Sequence, residues 1–126
     1  MSPLSNSFSS DAKGDSENKS ISINIAENVN ASEITNLIST FPKFSNTALN
    51  EEVSSLKYTL QNYLYAIESG NKSGKNKTIR NLEKSYKHIQ KLRKYLEKDE
   101  DEVLNRYLVR LKTNVTVIED SVNGKK

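Results

Sequence analysis

A row of basic side chains is the clearest chemical feature of this sequence. Its members recur three and four positions apart, which places them on one face of an α-helix. They are Lys77, Arg80, Lys84, Lys87, Lys91, Lys94 and Lys98. At about 1.5 Å of rise per residue, the row is roughly 30 Å long. We call these seven residues the basic stripe; it can attract the carboxylates of a protein, the phosphates of a nucleic acid or acidic lipid head groups.

Lysines on a helix face usually serve solvation, but this arrangement favours a binding role. Exposed faces normally mix charges, because a Glu–Lys pair four residues apart stabilises a helix by about 0.2–0.5 kcal/mol and like charges repel by a similar amount. Residues 72–98 hold 10 basic and 2 acidic side chains, whereas 1–71 and 99–126 have net charges of −4 and −1. The overall charge of +3 therefore originates in one segment. We interpret the stripe as a binding surface, with solvation as the alternative.

Side chains that catalyse reactions or bind metal ions are scarce. His88 is the only histidine and the chain has no cysteine, so the sequence offers neither an ordinary zinc site nor a disulfide. The positions four residues before and after His88 hold Lys84 and Leu92 rather than carboxylates. The 4 glycines do not form a phosphate-binding loop. We therefore predict a protein that is not an enzyme, with no catalytic residues, no metal ion and no cofactor.

Two tyrosines form a second candidate contact feature. Tyr58 and Tyr65 are seven residues apart, on the side of their predicted helix away from its apolar residues. Tyrosine is favoured in protein interfaces because it offers a large contact area at a low cost in conformational entropy. The alternative is that a short neighbouring helix packs on this side and covers both rings.

Isoleucines alternate with polar residues ahead of the predicted helices. Ile21, Ile23 and Ile25 would point to one side of an extended chain, which is the pattern of a half-buried strand. One strand cannot satisfy its own backbone, so this arm would add to a partner or to a second copy. Alternatively, the arm lies on the helices with its isoleucines in a groove.

Apolar residues at helical spacing predict the elements that carry these features. The predicted helices are Asn30–Phe41, Thr47–Ser69, Lys77–Lys98 and a last one that ends near Val122. Gly70 ends the second helix, and 71–76 is predicted to be a polar linker. Asp99 and Glu102 are spaced as a capping box for the last helix.

The predicted fold class is all-α: an antiparallel helical bundle of three long helices plus one short N-terminal helix, with a flexible N-terminal arm. We divide the chain into a disordered Ser-rich tail at 1–19, an extended arm with a short helix at 20–46, the three-helix bundle at 47–122 and a frayed C-terminus at 123–126. The first ten residues have no secretory signal and no run is apolar enough to span a membrane, which favours a cytoplasmic protein.

The predicted function is association with another protein in a regulatory, adaptor or neutralising role. The contact residues would be the basic stripe, the two tyrosines and the three isoleucines of the arm, and the favoured partner has an acidic surface. Nucleic acid is the alternative partner, although the stripe has one arginine against six lysines and no interleaved aromatic residues. A membrane surface is disfavoured because the apolar side of the basic helix is needed in the core. The sequence does not decide between a monomer and a homodimer.

Overall fold

In the computed structural model, the described residues are Phe8 and 22–123. Every regular element among them is helical, which confirms the all-α prediction. They are α1 (Val29–Thr40), α2 (Thr47–Ser69), α3 (Lys72–Leu92) and α4 (Lys98–Val122), with a 3-10 turn at Arg93–Tyr95 between the last two. None of these helices is long and apolar enough to cross a membrane.

Asparagine side chains begin three of the four helices. Asn28, Asn46 and Asn71 each accept a hydrogen bond from the backbone N–H three residues further on, in α1, α2 and α3 respectively. Each bond satisfies an amide group that would otherwise lack a partner at the helix start. The predicted polar linker at 71–76 is therefore wrong, because Asn71 caps α3 and the helix begins at Lys72. Gly70 ends α2 in the left-handed conformation, at φ 69°, as predicted.

The predicted single helix over Lys77–Lys98 is also wrong, because α3 ends at Leu92. The turn that follows is fixed by Arg93, whose buried guanidinium donates to both carboxylate oxygens of Asp101 on α4, at 2.6 and 3.0 Å. Such a bidentate ion pair fixes both position and orientation. The chain then enters α4 with Glu97 at the N-cap position, where no side chain makes a capping bond. The predicted capping box at Asp99 is therefore wrong.

The helices pack chiefly as two pairs, α2 along α3 and α1 along α4. The α2–α3 pair is antiparallel because only Gly70 and Asn71 join the two helices. Apolar sides from all four helices meet in one core. Helices α3 and α4 run antiparallel where they touch. Lys75, early in α3, bonds Glu119, late in α4, whereas Tyr86, later in α3, bonds the carbonyl of Leu108, earlier in α4.

The arm forms no strand at residues 22–25, so the strand prediction is wrong for that part. Ile23 and Ile25 are half-buried against the core. The Ile23 N–H donates to the carbonyl of Ile67 at 3.1 Å, which ties the arm to the end of α2. This arrangement agrees with the alternative of an arm lying on the helices. Ile21 lies outside the described residues.

The predicted disordered tail at 1–19 has one described residue, Phe8. Its ring is only 2% exposed and belongs to the core cluster. The other positions of that stretch, and residues 124–126 of the predicted frayed C-terminus, lie outside the described residues.

Candidate functional site

All seven residues of the basic stripe are exposed to solvent. Five of them lie on α3, on the side away from its buried residues such as Leu82 and Tyr86. Lys94 continues the stripe in the 3-10 turn, and Lys98 does so at the start of α4. Within the described part of the chain, none of the seven forms an ion pair with a carboxylate. Their charge is therefore available to an anionic surface from outside.

The two tyrosines are exposed on α2, the helix that packs along α3. Tyr58 is 67% and Tyr65 68% exposed. The alternative in which the short helix covers them is wrong, because α1 packs mainly against α4. A groove of about 410 Å³ between α2 and α3 is lined by Tyr65 from one helix and Lys77 from the other. We call the basic stripe together with Tyr58 and Tyr65 the basic face.

The isoleucines of the arm are not part of the basic face. Ile23 and Ile25 pack against the apolar core, and the backbone of Ile23 is already bonded to α2. These two residues hold the arm to the helices, and a role for them in partner binding stays a prediction.

His88 has a carboxylate neighbour that sequence spacing did not reveal. Its Nδ1 atom lies 3.5 Å from Oε1 of Glu52, on the adjacent helix α2. The imidazole is 48% exposed. No group of three or more metal-binding side chains occurs among the residues that the structure describes. The pair arises from the packing of α2 on α3, so no local sequence pattern could have found it.

A buried polar cluster lies where α2, α3 and α4 meet. Lys75 Nζ donates to Oε1 of Glu119 at 2.8 Å, and the Tyr63 hydroxyl donates to Oε2 of the same carboxylate at 2.8 Å. All three residues are 0% exposed. A substrate in solvent therefore has no access to these groups, and the cluster acts by joining three helices.

Sequence reasoning missed this cluster because it placed Lys75 in a linker. One signal was present in α4, where Glu119 directly follows Ile118 on the side that also carries Val115 and Val122. A carboxylate on an apolar helix side requires a buried partner.

Alkaline pH should destabilise the fold through two tyrosines. Burial raises the pKa of Tyr63 and of Tyr86 well above 10.0, and the charge of Glu119 adds to the effect at Tyr63. The unfolded chain would lose these protons near pH 10 while the folded chain keeps them. Their contribution is therefore complete below about pH 10, and above it the free energy of unfolding should fall by about 1.4 kcal/mol per pH unit for each group.

Urea unfolding between pH 8 and pH 11 measures this slope. The Tyr63→Phe variant has no hydroxyl at that position. Above about pH 10, its free energy of unfolding should fall less steeply with pH than that of the wild-type chain, by about 1.4 kcal/mol per pH unit. An identical slope in the variant and the wild-type chain would show that Tyr63 does not keep its proton in the folded state.

Comparison with known protein families, curated proteins and solved structures finds no match to this chain. The functional argument therefore rests on the geometry of the described residues.

Proposed function

We propose that this chain is a non-enzymatic helical protein that binds an acidic surface of another protein through the basic face. The observation that supports this most strongly is the set of seven exposed cations without carboxylate partners among the described residues. The role that follows is regulatory, adaptor or neutralising, and we place it in the cytoplasm.

The charges of the basic face would act on the encounter with the partner. Arg80 and Lys84, like Lys87 and Lys91, are four residues apart and repel each other in the free protein. Carboxylates of a partner would relieve this repulsion. Attraction between opposite surfaces extends over about 8–10 Å at physiological salt and raises the association rate. Charge complementarity also disfavours partners with basic surfaces.

Tyr58 and Tyr65 would supply the short-range contacts. Each ring combines an apolar surface with a hydroxyl that can bond to the partner. Tyrosines that become buried in a protein–protein interface are frequent among the residues that dominate binding energy. The groove between Tyr65 and Lys77 gives a protein partner a recessed feature to fill. The expected mode is thus electrostatic steering followed by contact with the two rings.

Reversing three charges at the middle of the stripe should abolish partner binding without unfolding the chain. Lys84, Lys87 and Lys91 are exposed, and the triple change to Glu alters no buried contact. The measurement is capture of protein partners from a nuclease-treated extract of the native host. The wild-type chain should retain an acidic protein that the triple variant does not, while circular dichroism shows the same helix content for both.

A matched control changes the same net charge elsewhere. Lys43, Lys57 and Arg106 lie outside the basic face. The variant with Glu at these three positions should capture the partner as the wild-type chain does. Equal loss in both triple variants would mean that total charge matters and the basic face does not. If both triple variants captured the partner as well as the wild-type chain does, the basic stripe would be a solvated surface with no role in binding.

Nucleic acid is the second candidate partner, and one observation favours it. Tyr65 borders the stripe at Lys77, and aromatic rings beside a row of cations are what single-stranded nucleic acid binds. If all seven stripe residues contacted phosphates, the logarithm of the binding constant would fall against the logarithm of salt concentration with a slope of about −5 for a single strand and about −6 for a duplex. Binding to a protein should show a shallower slope and survive nuclease.

A further inference from the structure

Phe8 contacts the helices through its ring, its backbone N–H and its backbone carbonyl. The ring meets Tyr86 edge-on, with 4.8 Å between ring centres and 88° between the planes. The backbone N–H of Phe8 donates to Oε2 of Glu83 at 3.1 Å, and its carbonyl accepts from Oγ1 of Thr116 at 3.4 Å. An aromatic residue of an extended peptide would be recognised through the same three contacts.

The pocket for Phe8 lies beside a groove along α4, with which it shares two bordering residues. Thr116 and Lys112 border both, since Lys112 Nζ lies 5.9 Å from the centre of the Phe8 ring. The groove measures about 340 Å³ and is also lined by Val109 and Val117, which are 40% and 46% exposed. An anchor pocket beside an apolar groove suits a peptide with one aromatic residue and a small apolar neighbour.

We propose that this pocket between α3 and α4 is a docking site for an extended peptide with an aromatic anchor, and that the chain's own Phe8 is its resident occupant. The segment 9–20 contains no large apolar side chain, so no second anchor follows Phe8 before Ile21. Displacement of Phe8 would break its contact with Tyr86 and its hydrogen bonds to Glu83 and Thr116, which a local opening can do without unfolding the helices. The site does not depend on the proposed function of the basic face.

Occupancy by Phe8 should block the pocket in the intact chain. A tethered occupant acts at an effective concentration of the order of millimolar, so an equivalent free peptide must compete against it. The full-length Phe8→Ala variant removes that competitor and leaves Glu83, Tyr86 and Thr116 in place.

Binding of a fluorescent peptide with the sequence of residues 1–16 tests the proposal. The Phe8→Ala chain should bind it at least tenfold more tightly than the wild-type chain does, and a peptide with alanine in place of its phenylalanine should not bind. Equal binding by both chains would place the peptide elsewhere and overturn the proposal, as would no binding by a Phe8→Ala chain that circular dichroism shows to be folded.

A second variant decides the matter even if Phe8→Ala does not fold. The chain contains no tryptophan, so Phe8→Trp introduces a single fluorescent anchor of similar shape. Excess 1–16 peptide, at millimolar concentration, should shift its emission to longer wavelength as the indole is displaced into water. An unmoved emission maximum would show that Phe8 is a fixed core residue and overturn the proposal.

Discussion

Replacing Lys75 with methionine should lower the free energy of unfolding by about 3–5 kcal/mol, because Glu119 would stay buried without its cation. The Lys75 ammonium lies 2.8 Å from Glu119 and also donates to Oδ1 of Asn76 at 2.9 Å. Methionine fills a similar volume, so the loss is mainly electrostatic. Urea unfolding followed by far-ultraviolet circular dichroism measures it at neutral pH.

Two further variants isolate the unpaired charge. Lys77→Met, two residues away and exposed, should change the free energy of unfolding by no more than about 0.5 kcal/mol. The triple change Lys75→Met, Glu119→Leu and Tyr63→Phe removes every buried polar group of the cluster and should recover most of the loss, since buried ion pairs can be replaced by apolar residues at little cost. A Lys75→Met chain as stable as Lys77→Met would contradict the buried pair.

Replacing Asp101 with alanine should cost about 3 kcal/mol of folding free energy, near the lower end for a broken buried pair because its side chain is 20% exposed. The guanidinium of Arg93 would remain buried with its bond to Oε1 of Gln90, at 3.2 Å. Thermal unfolding of the variant measures the loss. The turn that directs Lys94 and Lys98 should also loosen, seen as faster amide exchange there.

Asp99→Ala is the matched control for this prediction. It removes the same charge from the same acidic run, but Asp99 is exposed, and within the described part of the chain its carboxylate accepts a bond from the backbone N–H of Glu100 alone. Its cost should stay below about 1 kcal/mol. Equal losses in the two variants would show that the acidic run acts through the start of α4 and that the Arg93 pair contributes little.

Apolar spacing was sufficient to predict the helices, because burial of one helix side dominates their stability. The row Leu49, Val53, Leu56, Leu60 and Ile67 is buried as that spacing requires. Gly70 was enough to predict the end of α2, but the end of α3 depended on a contact between two helices. The bond between Arg93 and Asp101 holds the turn that follows Leu92, although the stripe continues beyond it.

The candidate site was predictable only in parts. Helical spacing was enough to place the stripe outside the core and Tyr58 and Tyr65 away from the buried side of α2. The closeness of Tyr65 to Lys77 depends on how α2 packs against α3, which no local pattern encodes. The burial of Lys75 was missed for a different reason. Lysine is almost never fully buried without a partner, and the partner of Lys75, Glu119, lies far along the chain.

The reactivity of individual lysines, with and without the captured protein partner, tests the basic face most directly. An amine-labelling reagent applied to the intact chain, followed by mass spectrometry, reports the accessibility of each lysine. Lys84, Lys87 and Lys91 should lose most of their reactivity in the complex, whereas Lys43 and Lys57 should keep theirs. Unchanged labelling along the whole stripe, or protection confined to Lys43 and Lys57, would contradict binding through the basic face.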